Sequence, residues 1–179
     1  VYIELDEARR IIEIYRGTNG AISQLWRDAN NMVQYMARGD SIQFGREGVL
    51  QVDARKNAII LPNGLPMFYH GLAAERGDRG YEYTYRTRKG PNRIYGGKVV
   101  ENVCQAVARC IIGHQMILLA KRYKAVLTVH DSIITCVPDE ELVEAQAYME
   151  ECMSQTPDWA KGLPITCESG TGKSYGECE

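Results

Sequence analysis

No stretch of this sequence is apolar for long enough to cross a bilayer. The most apolar run, Ala106 to Ala120, is interrupted by Arg109, His114 and Gln115, whereas a spanning helix needs about 20 largely apolar residues in a row. It reads as a core helix of a soluble protein. Position 1 is Val and no charged-then-apolar leader follows, so no signal peptide is read here and the chain is expected to be cut from something longer. The six cysteines, Cys104, Cys110, Cys136, Cys152, Cys167 and Cys178, include no Cys-x-x-Cys pair, which argues against a zinc site. In a chain of this size without a leader, free thiols and a cytoplasmic setting are expected rather than disulfides. A phosphate-binding P-loop is also missing. Ser169 to Ser174 imitates one, but the motif needs Gly at 167, where this chain has Cys167, and it must open a helix, for which too few residues remain.

Nor does one sign of charge dominate: 21 basic and 23 acidic side chains leave a formal −2 over 179 residues. A chain of that length can bury a real core and is large for one domain or small for two. The charge is unevenly spread. Arg86, Arg88, Lys89, Arg93 and Lys98 fall together with no acid among them, while Asp139, Glu140, Glu141, Glu144, Glu150 and Glu151 crowd a later segment. A basic run of this kind is either a phosphate-contacting face or merely solvated surface.

What is present divides by periodicity. Ala8, Ile11, Ile12 and Tyr15 recur at helical spacing behind Asp6 and Glu7, and Gly17 is the expected stop of this amphipathic helix. After a tight turn at Thr18-Asn19-Gly20, the set Ile22, Leu25, Trp26, Ala29, Met32, Val33 and Met36 predicts a second helix ending at Gly39, packed on the first. From Gly39 to Gly97 short apolar runs alternate with turn residues, among them Pro62-Asn63-Gly64, and Tyr81, Tyr83 and Tyr85 alternate as in a strand. This predicts an antiparallel β region. Its tyrosines either pack on a sheet face or, with the basic cluster behind them, offer bases a stacking platform. Val99 to Ala120 is the strongest helical pattern. Val100, Val103, Cys104, Val107, Ile111, His114 and Leu118 form its apolar face, with Glu101, Asn102, Gln105 and Arg109 on or near the other side. Pro138 and the acids behind it open a further helix, with Leu142, Ala145, Tyr148, Met149 and Cys152 on its apolar side.

The chain is organised around Leu127 to Val137, where β-branched and apolar residues flank His130-Asp131-Ser132. That pattern predicts two buried strands meeting at a short polar tip. Local sequence alone favours ordinary turn residues at the tip. The sharper alternative is a metal-binding carboxylate, because burying an unpaired Asp beside Val and Ile is costly and a cation relieves that cost.

Val129-His130-Asp131 resembles motif C, Val-His-Asp-Glu, of the DNA polymerase I family (family A). The block from Tyr95 through Gly96-Gly97-Lys98 to Arg109 is similar to the Gly-Gly-Lys-(Leu/Val)-Val-Glu-Asn-x-x-Gln-Ala block that precedes motif C in phage-type members. The tail from Pro157 to Ile165, with Trp159 and Gly162-Leu163-Pro164, and the closing Tyr175-Gly176 also resemble that family's ending. The resemblance implies an α+β fold: an antiparallel palm sheet with the motif C hairpin, packed against long helices. Residues 1–39 would be a helical pair at the end of the fingers, and 40–179 the palm region with a β insertion, a long helix at 98–121 and the hairpin at 125–137.

It further implies that the parent is a DNA-directed DNA polymerase that joins nucleotides to a primer 3′-hydroxyl with two Mg²⁺ ions, in the cytoplasm of a bacterium or of a phage's host. Asp131 maps to one of the two metal-binding, catalytic aspartates. His130 maps to the motif C His near the primer-terminal backbone, and Gln105 to a minor-groove contact. Arg86, Arg88, Lys89, Arg93 and Lys98 are possible phosphate contacts. The implied partners are primer-template DNA, the incoming deoxynucleotide and a missing N-terminal polymerase region, with no membrane.

The departures are specific. Ser132 stands where the family has Glu, and Arg109-Cys110 where it often has Arg-Asp. Neither the first aspartate motif nor the nucleotide-gripping helix with Arg-x-x-x-Lys is present, so the fragment alone is expected to be inactive. Two other readings stand beside this one. The first is a His-Asp metal phosphohydrolase drawing on His70 or His114; the second is a non-catalytic fragment that holds duplex DNA through the helix bearing Gln105.

Overall fold

The computed structural model describes residues 2–77 and 80–178. They form an α+β fold that divides into two units, Val1–Gln105 and Ala106–Glu179.

The first unit opens with α1 (Leu5–Thr18) and α2 (Gly20–Arg38). α1 does not stop at Gly17. Its last carbonyls are taken by Thr18 Oγ1, which donates to Ile14 O, and by Asn19, whose backbone N and Nδ2 both donate to Tyr15 O. Those bonds satisfy the end of the helix, which closes one residue beyond the glycine. The expected packing of α1 on α2 is confined to the turn between them, where Tyr15 stacks on Trp26 with ring centroids 6.2 Å apart. α1 buries none of its residues, and Ile11, Ile12 and Ile14 stay about half exposed. The later part of α2 behaves as its periodicity predicts, with Ala29, Met32, Val33 and Met36 buried and Gly39, at φ +94°, closing it in the left-handed conformation, whereas Ile22 and Leu25 of the expected apolar face are exposed.

Strands β1 (Gln43–Phe44), β2 (Leu50–Asp53), β3 (Ala58–Ile60) and β4 (Pro66–Phe68) pair antiparallel in chain order. β2 turns Leu50 and Val52 inward and Gln51 outward, the period of a half-buried strand, and α2 packs against it. The Pro62-Asn63-Gly64 turn is where the composition places it, with Gly64 N donating to Leu61 O. A second antiparallel sheet holds β5 (Ala73–Gly77), β6 (Gly80–Thr87) and β7 (Gly90–Ile94) in that order. Tyr81, Tyr83 and Tyr85 share one face of β6. Tyr83 is buried and Tyr85 meets Tyr69 edge-on at 5.2 Å, so most of the alternation serves packing. Tyr69 is itself buried and accepts a bond from Asn102 Nδ2 at 3.3 Å; burial pushes its hydroxyl above the ordinary 10.0, offset in part by that bond.

α3 (Gly96–Leu119) begins in the first unit and continues into the second. There its buried positions are Cys110, Ile111, Gln115 and Leu119, a stripe displaced from the apolar face expected from sequence, and Cys104 is exposed. Leu119 packs with Ile133 of the β8 (Ala125–Val129) and β9 (Ser132–Thr135) hairpin and with Cys152 of α4 (Leu142–Met153). Tyr148 of α4 donates to Leu118 O, and the Arg122 guanidinium lies over the rings of Tyr123 and Tyr148 while pairing with Glu144. The hairpin is therefore anchored at its base by α3 and α4.

Gln115, 1% exposed, is the one polar residue of the buried stripe, and its Nε2 donates to Met153 O (2.6 Å) and Gln155 O (3.2 Å). These bonds tie the end of α4 to α3. Gln115→Leu keeps the volume but orphans both carbonyls, and is expected to lower stability by about 2 kcal/mol in urea unfolding. An unchanged midpoint would mean that water takes over both carbonyls.

Candidate functional site

The β8–β9 hairpin turns on two residues. Val129 pairs with Ser132, leaving His130 and Asp131 as the loop, and His130 adopts φ +53°. Two-residue hairpins favour a left-handed first position, and His tolerates it better than most side chains. The tip is thus a consequence of tight reversal rather than of a loop insertion. Behind it, β8 pairs Ala125 with Thr135 and Leu127 with Ile134, so Val126 is the extra residue of a bulge. The two strands are not buried on both faces as expected. Ile133 faces the core of the unit, whereas Val126 and Leu127 are about half exposed, because the described residues of this unit cover one face of the two-stranded ribbon.

The carboxylate of Asp131 stands in solvent and, among the described residues, has neither a hydrogen bond nor an ion pair. Two flanking strands fix its backbone while its oxygens stay available. It is one carboxylate only. No group of three His, Cys, Asp or Glu side chains able to hold a metal exists among the described residues. The donor set of this chain does not by itself fit a Mg²⁺ ion, which takes six oxygen ligands in a near-ideal octahedron. His70 stacks flat on Phe68 at 4.9 Å and heads no ligand set among the described residues, and the His130-Asp131 dyad sits on a hairpin rather than a helix. Both observations weigh against the phosphohydrolase reading.

Gln105 lies exposed on α3 with no side-chain bond among the described residues, one turn beyond Asn102, which is engaged by Tyr69. It is free to meet a ligand. The five basic candidates separate. Arg88 and Lys89 form the two-residue tip of the β6–β7 hairpin, held by Thr87 Oγ1, which donates to Gly90 O and accepts from Lys89 N. Neither is paired with an acid among the described residues. Arg86, on the outer face of β6, lies over Gly71, likewise without an acidic partner among the described residues. Arg93 is paired with Glu82 at 2.5 Å, and Lys98 Nζ donates to both oxygens of Glu101 at 2.9 and 3.0 Å, which holds its ammonium above the ordinary lysine range. Exposed pairs of this kind are screened by solvent and add little stability, but they remove two of the five charges from the positive face.

Sequence reasoning missed a groove of about 830 Å³ in the first unit, lined by Arg16, Trp26, Arg27, Asn30, Tyr95 and the Gly96-Gly97 start of α3. The available signal was a Tyr set before paired glycines at a helix start, which alone marks no groove.

The chain is similar to a DNA polymerase of Bacillus phage SP02, at 30% identity over 173 residues, a match that takes in 90% of this chain and 26% of that protein. It therefore spans about a quarter of the relative's length. No protein-family model matches the chain, and no solved structure matches it.

Proposed function

We propose that this chain is the C-terminal part of a DNA-directed DNA polymerase of the DNA polymerase I family, comprising the end of the fingers and the motif C side of the palm. The observation that carries the reading is the similarity to a phage DNA polymerase along nearly the whole chain, joined to a two-residue hairpin that presents Asp131 with its oxygens unengaged. In the intact enzyme Asp131 is one of two carboxylates at the site where a primer 3′-hydroxyl attacks an incoming deoxynucleoside triphosphate. Mg²⁺ held there by both carboxylates together would supply charge stabilisation. The second carboxylate and the triphosphate-gripping residues come from outside this chain.

His130 approaches the primer-terminal backbone, Gln105 reads the minor groove from α3, and Arg86, Arg88 and Lys89 supply phosphate contacts. Arg93 and Lys98 contribute less, because Glu82 and Glu101 already neutralise them. Lacking half its metal ligands, the isolated chain binds duplex but does not extend it. Binding of a labelled primer-template duplex, followed by anisotropy, tests this. Gln105→Ala is expected to weaken duplex affinity roughly fivefold, the effect of one hydrogen bond of about 1 kcal/mol. Unaltered affinity would remove Gln105 from the interface, and primer extension by the isolated chain would refute its inactivity.

A further inference from the structure

We propose that the groove between α2 and the start of α3 binds single-stranded nucleic acid, an inference that rests on the polymerase reading for the presence of DNA. It is built from aromatic and basic side chains around a glycine. Trp26 and Tyr95 are aromatic, Tyr95 being 58% exposed, and a Cβ placed on Gly97 would meet both the Tyr95 ring (3.3 Å) and Trp26 Cδ1 (4.0 Å). The missing side chain therefore leaves a floor beside the exposed Tyr95 ring, on which a base can stack, while the Trp26 ring is already stacked on Tyr15. Every base has a π-face, so such a platform accepts any sequence, but only where the bases are not already stacked in a duplex.

The charge of the groove is also suited to a phosphodiester strand. Its acid, Glu101, is engaged by Lys98. Arg16 has no acidic partner among the described residues, and Arg27 donates only to the neutral Gln24 Oε1. The lining is left with two uncompensated cations. The groove also does not end there. Asn30 and Tyr95 are shared with a second depression of about 430 Å³ along β6 and β7, where Tyr81, 66% exposed, stands beside an Arg93 already paired with Glu82. Exposed aromatic rings thus continue beyond the two arginines along a track longer than one nucleotide, as a strand requires and a free nucleotide does not.

The test is anisotropy of a labelled short oligothymidylate on this chain, with a blunt duplex as the second probe. Tyr95→Ala is expected to weaken oligothymidylate binding roughly tenfold, and Tyr95→Phe to restore it, since stacking needs the ring and not the hydroxyl. Replacing Arg16 and Arg27 by Gln should reduce the slope of log affinity against log salt by about 1.4, the value for two phosphates on a single strand. Duplex affinity should be unchanged in all of these variants. Oligothymidylate binding that is absent, or that the substitutions leave intact, while the duplex is still bound through Gln105, overturns the groove assignment and leaves the polymerase reading standing. Failure of the chain to bind either probe overturns both. Loss of both probes together in Tyr95→Ala overturns the distinction between single strand and duplex.

Discussion

On the proposed polymerase reading, Asp131→Asn introduced into the intact protein is expected to lower nucleotide incorporation by on the order of 10²- to 10³-fold, the scale on which removing a single stabilising group acts at a reacting centre. Folding should be unaffected, because the substitution is isosteric and the side chain is exposed and makes no bond among the described residues. Duplex affinity should hold or rise slightly, since a negative charge is removed from the neighbourhood of the phosphates. The expected signature is therefore a collapse in turnover with binding preserved, measured by single-turnover extension beside duplex titration. Equal losses in rate and affinity would mean that Asp131 only orders the hairpin. In that case the tip would be the ordinary turn that its local sequence also permits.

The features legible in the sequence were those set by local pattern. From Ala29 onward α2 follows its apolar period, and it stops at a left-handed Gly39 because no other residue enters that conformation as freely. The β8–β9 hairpin is readable from its β-branched flanks, and a two-residue reversal then follows from register. Harder to read was anything decided by a partner. β5 reads Ala-Ala-Glu-Arg-Gly and β7 Gly-Pro-Asn-Arg-Ile, neither with strand composition; both are recruited by pairing with the tyrosine-rich β6. Composition marked Val126 and Leu127 as strand but did not say how many faces of that strand would be covered. Gln115 looked like a polar interruption of a core helix, and only the two carbonyls at the end of α4 explain it. The basic cluster contained no acid in sequence, yet Glu82 lies diagonally across the strand pair from Arg93 and Glu101 one helical turn from Lys98. Neutralisation arrives from positions that a linear charge count does not associate.

The paired glycines at the start of α3 carry the second large effect, because they look equivalent and are not. A Cβ on Gly96 would stand 1.9 Å from Trp26 O and 2.9 Å from Asn30 N, both backbone atoms of α2. One on Gly97 would meet only the Tyr95 ring at 3.3 Å and the edge of Trp26. Gly96 is therefore required by close approach of two helix backbones, not by conformation, and α2 cannot yield without giving up the packing of Met32, Val33 and Met36 beneath it. Gly96→Ala is expected to cost about 3 kcal/mol or more, as overpacking against backbone does. Gly97→Ala should be near neutral, since the ring can shift and alanine favours a helix over glycine by about 0.5 to 1 kcal/mol. Urea unfolding of the two variants side by side decides the matter. If both lose stability equally, the glycines serve helix entry rather than contact. If only Gly96→Ala does, α3 starts where it does because the chain can come that close to α2 at a single residue, and the groove floor at Gly97 is set by the same contact.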